Sequence, residues 1–290
     1  MIDTPLPATR YRPSRIYPLS TLSSDGKRLA QPAFLGDGQT DGAPWGLMVF
    51  DLERASVELV LEGPTWLNLH PQYCRSGEPH ASHDVMVQEN HGCEYDRSGA
   101  CTVLSAGHGA DIHVIRDDGS DLRDLPWGRY GHEFCQGHQC WRGRSTSAIT
   151  STTVPETGDY ELIESDAVAF SGHVGLASPG GRRNRLSRTF PNPRFCHFAT
   201  DVAGRRFISD ALVGEPDTGQ SRWLLYTAEF AQDGSAPLAN WQLILDTHSN
   251  PALKTTHPHP FLSPDGTTGF FNSDESGSLQ AYMVTGLFGG

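Results

Sequence analysis

Apolar residues in this chain come in short runs bounded by turn residues. Gly46-Leu47-Met48-Val49-Phe50-Asp51, Ser56-Val57-Glu58-Leu59-Val60, Asp84-Val85-Met86-Val87-Gln88, Trp223-Leu224-Leu225-Tyr226 and Leu279-Gln280-Ala281-Tyr282-Met283-Val284 are typical. Runs of this length predict strands. No stretch carries a helical period over a useful length.

The runs fall into repeating units. Arg15 to Val60 reads as four short strands separated by turns such as Ser24-Asp25-Gly26. A second unit opens at His70-Pro71-Gln72-Tyr73, a third at Gly131-His132-Glu133-Phe134, a fourth at His197-Phe198-Ala199-Thr200 and a fifth at His257. The openings His70, His132, His197 and His257 stand 62, 65 and 60 residues apart. A four-stranded propeller blade takes roughly 40–50 residues, so these blades would carry long loops. The longest insertion is expected from about Gly158 to Pro193. The predicted fold is an all-β propeller of four-stranded blades, about five of them visible, in a single domain over residues 1–290.

Composition agrees with this picture. The chain has 290 residues, 31 glycines and 20 prolines, which suits a turn-rich β fold. A net charge of −12 argues against nucleic acid or an anionic membrane surface as partner. Met1 to Pro13 has no apolar leader core and no run is long enough to span a membrane, so a cytoplasmic protein is expected. The six cysteines are then read as free thiols.

The chemistry lies in the histidines. Equivalent ends of the first strands of propeller blades converge although they are distant in sequence. His70, His132, His197 and the pair His257/His259 occupy such ends. Prolines alternate with His257 and His259, which predicts extended backbone with both imidazoles on one side. One histidine at a strand start is an ordinary hydrogen-bonding residue; four repeat openings with histidine point to a metal or catalytic centre. Two other stretches have competing readings. His132-Glu133-Phe134-Cys135-Gln136-Gly137-His138-Gln139-Cys140 has zinc-type residues but no standard zinc spacing, and also reads as strand residues plus a turn. The basic stretch Arg182-Arg183-Asn184-Arg185-Leu186-Ser187-Arg188 is a solvated loop or a rim for an anionic substrate. There is no glycine-rich phosphate loop and no Gly-x-Ser-x-Gly elbow.

The ordered succession His70-Pro71-Gln72-Tyr73, Gln88-Glu89-Asn90-His91-Gly92, Gly131-His132-Glu133-Phe134, His197 and His257-Pro258-His259-Pro260-Phe261-Leu262-Ser263-Pro264-Asp265-Gly266 resembles the oligogalacturonate lyases. These are metal-dependent β-propeller enzymes that cleave short pectic oligosaccharides by β-elimination. The resemblance runs from roughly residue 15 to 285 and implies a seven-bladed relative, with this chain starting inside the ring. It implies His197, His257 and His259 as ligands of a divalent metal, manganese in that family, and His132 as the base. His70, His91, Arg182, Arg183 and Arg185 become candidates for contact with an anionic uronate oligosaccharide. The chain departs from the family at two places: Lys254 stands where the family has a metal-binding glutamine, and Asp111 where it has an arginine. A protonated lysine does not coordinate readily, and an aspartate cannot hold a carboxylate as arginine does. The other readings are a non-catalytic propeller that binds protein or glycan, and a metal-dependent enzyme acting on another sugar acid.

Overall fold

A computed structural model describes residues 13–104, 109–125, 135–153, 160–166, 183–187, 194–214, 220–231 and 238–288. The chain divides into two compact units, residues 1–137 with 166–181, and residues 138–165 with 182–290. The division falls inside one strand.

The first unit contains two main antiparallel sheets. One is formed by β1 (Arg15–Ile16), β2 (Thr21–Leu22), β3 (Arg28–Phe34), β4 (Trp45–Asp51) and β5 (Ser56–Gly63). The other is formed by β6 (Gln72–Tyr73), β7 (Asp84–Asn90), β10 (Ala110–Arg116) and β11 (Arg123–Asp124), in the order β11-β10-β7-β6. A small hairpin, β8 (Glu94–Tyr95) with β9 (Cys101–Val103), is inserted between β7 and β10. Alternate residues of these strands, among them Ala30, Phe34, Trp45, Leu47, Val85 and Val87, meet in one core with Leu67, Leu69 and Tyr73. That alternation is the period of two a sheet imposes.

The second unit holds three sheets. β12 (Cys135–Trp141), β13 (Ser147–Thr153), β14 (Tyr160–Asp166) and β15 (Arg183–Arg185) form one meander, and β16 (Arg194–Thr200), β17 (Arg206–Gly214), β18 (Ser221–Glu229) and β19 (Ala239–Asp246) form the next. β20 (Phe261–Leu262), β21 (Gly269–Ser273) and β22 (Gln280–Val284) form the last. Phe195, Phe198 and Phe207 pack with Ile149, Leu162 and Ala228 in the core of this unit.

Successive antiparallel meanders joined by tight turns are the blades of a β-propeller, the fold class predicted from the sequence. The described residues contain no α-helix, and none of their helices is long and apolar enough to cross a membrane. The expected long insertion needs correction. Part of residues 158–193 is strand: β14 and β15 pair, with Ile163 opposite Arg185 and Ser165 opposite Arg183, and complete the third sheet. Arg183-Asn184-Arg185 has no apolar alternation, and only pairing with β14 gives it an extended structure.

The predicted turns are built as expected. In Ser23-Ser24-Asp25-Gly26 the Ser23 hydroxyl and the Lys27 N–H both donate to Asp25 Oδ1, at 2.7 and 3.1 Å. In Ser263-Pro264-Asp265-Gly266 the same two bonds come from Ser263 and Thr267, at 2.6 and 3.0 Å. Side-chain acceptors of this kind replace ladder bonds at the reversal.

One glycine is required by a close approach. Gly143, in the β12–β13 turn, has φ +51°, and an added Cβ would stand 2.4 Å from Gly204 N and 2.7 Å from Val202 O. Both neighbours are backbone and cannot swing aside. Gly143→Ala should therefore destabilise the protein by about 2–3 kcal/mol, whereas Gly26→Ala, with open space around its Cβ, should cost only about 1 kcal/mol for its φ. Urea midpoints of the two variants check this; equal losses would refute the close-approach argument.

Candidate metal centre

The site begins with an irregularity in β16. Phe195 pairs with Ala211 but Phe198 pairs with Ser209, so β16 uses three steps where β17 uses two. This β-bulge sets Cys196 and His197 together against a single partner residue, Asp210. It also lets Phe195 and Phe198, three apart, both enter the core, while Cys196 and His197 turn to the opposite face. Regular alternation would have split each pair.

Asp210 is fully buried and holds His197 at two points. The His197 backbone N–H donates to Asp210 Oδ1 at 2.7 Å, and Nδ1 donates to Oδ2 at 2.8 Å. With Nδ1 committed, coordination would fall to Nε2, which lies 3.9 Å from Cys196 Sγ; a carboxylate bonded in this way fixes a ligand histidine. Burial pushes the Asp210 carboxyl up to about 7, against the pull of the His197 N–H and the nearby imidazoles.

His257 and His259 arrive from the segment before β20. Its path is set by Thr256, whose hydroxyl donates to Asn250 O at 2.7 Å, and by the Asn272 N–H, which donates to Pro258 O at 2.7 Å. The backbone is not uniformly extended as the prolines predicted. His259 has φ +45°, the left-handed region that costs a non-glycine residue on the order of 1 kcal/mol or more. In compensation, His259 Nδ1 donates to His257 O at 2.9 Å, which again leaves Nε2 as the donor nitrogen. His70 has the same φ of +45° and, like His259, precedes a proline that leads straight into a strand. The repeat equivalent of His70 is thus His259.

The rings of His197 and His259 are 3.8 Å apart between centroids and those of His197 and His257 5.4 Å, with the buried Trp223 ring 4.8 Å from His257. Donor atoms of His197, His257 and His259 all lie within 4.8 Å of one another. Two of the three have their far nitrogen bonded to an acceptor, so these residues fit a divalent metal in donor type and spacing. The structure adds two neighbours that sequence reasoning missed. His138, on β12, has its ring 4.4 Å from that of His197, and the Cys196 Sγ lies 3.9 Å from His197 Nε2. His138 sits in a stretch marked in the sequence as zinc-like, and Cys196 adjoins a marked histidine; only the bulge makes them face one point. Asp210 was also missed; its only sequence signal is that it is the single acid of β17.

The other expected residues are placed as follows. His70 and His91 belong to the first unit. His132 and Arg182 lie outside the described residues. Arg183 and Arg185 fall in β15, and Lys254 begins a short 3-10 turn, Lys254–Thr256.

In the first unit His91 is part of a charge network. The register of β7 and β10 sets Glu89 opposite Asp111 and Val87 opposite His113, so Glu89, Asp111 and His113 share a face. His91 Nε2 is 2.8 Å from Asp111 Oδ2 and 3.3 Å from Glu89 Oε2, while His113 reaches Glu89 Oε2 at 3.2 Å and Asp124 Oδ1 at 2.8 Å. Burial alone would raise Glu89, but His113, Thr65 and His91 outweigh it and hold the carboxyl down at about 2. Burial alone would lower His113, but Asp124 and Glu89 raise it to about 9.

No protein-family profile matches the chain, and no curated protein matches it. Solved structures do. The chain is similar to the oligogalacturonate lyase of Vibrio parahaemolyticus, with a TM-score of 0.66 at 15% identity over 97% of this chain and 68% of that one. It is also similar to the acylaminoacyl peptidase of Pyrococcus horikoshii, with a TM-score of 0.51 at 14% identity over 93% of this chain and 37% of the peptidase. The β-propeller domain of the Trilobed protease from Pyrococcus furiosus gives a TM-score of 0.50 at 12% identity, over 92% of this chain and 66% of that one. At these identities the likeness establishes the propeller fold.

The charge network predicts a pH profile. Glu89 has a depressed folded pKa, so its contribution is present above its ordinary 4.5 and is lost as pH falls toward about 2. His113 has a raised one, so its contribution is present below its ordinary 6.5 and is lost as pH rises through about 9. The contribution of this pair to the thermal midpoint should be greatest between pH 4.5 and 6.5. Glu89→Gln should flatten the acid limb of the profile relative to the parent; superimposable acid limbs would rule the network out as its source.

Proposed function

We propose that this chain is a metal-dependent lyase that cleaves uronate oligosaccharides of the oligogalacturonide kind by β-elimination. The observation that carries the reading is the convergence of His197, His257 and His259, with Asp210 fixing His197, on a propeller scaffold. The ordered motifs that resemble the oligogalacturonate lyases support it further.

In β-elimination a base takes the proton from the carbon next to the uronate carboxylate. The electron pair of that C–H bond becomes a ring double bond, and the glycosidic C–O bond on the adjacent carbon breaks, with its oxygen leaving as an alcohol once protonated. The proton is weakly acidic while the carboxylate carries full charge. His197, His257 and His259 are the residues that would hold a divalent ion, which would supply Lewis acidity for that step. His132 is assigned as the base, since a neutral imidazole titrates close to working pH. His91 and His70 are assigned to substrate contact. Arg182, Arg183 and Arg185 supply positive charge for an anionic chain of sugars.

A second reading is favoured by Asp111. Where the resemblance implies an arginine facing a substrate carboxylate, this chain has a buried aspartate engaged with His91. A substrate with a hydroxyl at that point, in another sugar acid, suits an acceptor better than galacturonate does.

Oligogalacturonide incubated with the protein and Mn2+ should yield an unsaturated product seen as rising ultraviolet absorbance. His132→Ala should abolish the rise and keep its metal, whereas His257→Ala should lose the metal. The reverse pattern of metal contents would overturn these roles, and activity only on other uronates in a panel would select the second reading. Asp210→Asn should weaken metal affinity about 10–100-fold, as loss of such a partner does, measured by competition with a chelator.

A further inference from the structure

We infer that Cys196 and His138 are ligands of the His197 centre, so that it takes its metal through a thiolate and prefers a borderline ion of the zinc and cobalt type. The inference rests on the reading of that centre as a metal site and concerns which of its side chains coordinate.

Cys196 Sγ is 3.5 Å from His138 Nδ1 and 3.9 Å from His197 Nε2, and the three donor atoms lie within 4.8 Å of one another. In a tetrahedral site with a metal–sulfur bond of about 2.3 Å and metal–nitrogen bonds of about 2.0 Å, neighbouring sulfur and nitrogen ligands are about 3.5 Å apart. The observed separations are close to that edge, so an ion can be accommodated with little side-chain movement. His197 belongs to this triad and to the triad with His257 and His259, and a four-coordinate ion can draw its ligands from both.

The chain also puts the thiol there for a structural reason. In an unbulged strand Cys196 would point away from His197; the extra residue between Phe195 and Phe198 turns both to the same face. Cys196 is in no disulfide and is 8% exposed. Thiolate is a soft donor that suits zinc or cobalt, whereas manganese favours oxygen ligands. Ligation deprotonates the thiol, and the proton is released to solvent.

Cobalt(II) alone, titrated into the purified full chain, tests this. A thiolate ligand produces an intense sulfur-to-cobalt charge-transfer band in the near ultraviolet, and imidazole ligands do not. The wild type should develop the band at one cobalt per chain, lose it on adding zinc, and retain it in excess manganese. Cys196→Ser should remove the band while cobalt still binds, roughly 10–100-fold more weakly, and His138→Ala should weaken binding but keep the band. Cobalt bound by the wild type without the band overturns the inference and leaves a three-histidine centre standing. A band that survives in Cys196→Ser assigns it to another cysteine and overturns the inference too. Absence of cobalt binding in the wild type overturns the metal centre itself. The two wild-type outcomes, cobalt without the band and no cobalt binding, are read even if a variant fails to fold.

Discussion

The candidate centre depends on a single buried carboxylate held against a bulged strand. Asp210 has no exposure to water, and an ionisable group so placed is tolerated only when its oxygens are hydrogen-bonded. His197 meets that demand with both its backbone N–H and its ring. The backbone bond is available because the extra residue in β16 removes that N–H from the regular ladder. The acid fixes the histidine, and the histidine makes the acid tolerable. Loss of the carboxylate would leave donors unsatisfied at a cost of about 1–3 kcal/mol each and free the ring to turn.

Around that contact the rest of the centre is built from local departures from regular geometry. The bulge brings Cys196 beside His197, and the left-handed residue His259 bends the Pro258–Pro260 segment so that its ring approaches His197. Strain of this kind persists only where surrounding contacts fix it, and it gathers at functional sites. Here the hydrogen bond from His259 Nδ1 to His257 O, and the one accepted by Pro258 O, supply the fixing contacts. In a regular β16, Cys196 and His197 would have lain on opposite faces.

The network in the first unit shows a different solution to a similar problem. Two paired strands place Glu89, Asp111 and His113 side by side by register alone, with no bulge between them. Their charges then compensate one another, which lowers Glu89 and raises His113. Asp111, a departure from the resembled family when read in sequence, has a structural role as the partner of His91.

The blade pattern, the tight turns and the candidacy of His197, His257 and His259, which the structure brings together, were legible in the sequence, because strand period, Asx-turn chemistry and histidine spacing are local properties. β14 and β15 were not, since Arg183-Asn184-Arg185 acquires its extended form only by pairing with another segment. His138, Cys196 and Asp210 were not legible as a set for a related reason. Which face a strand residue occupies depends on register, and one inserted residue reverses it. The sequence by itself determined which residues can carry the chemistry. The pairing of β16 with β17, and the bulge within it, decided which of them meet.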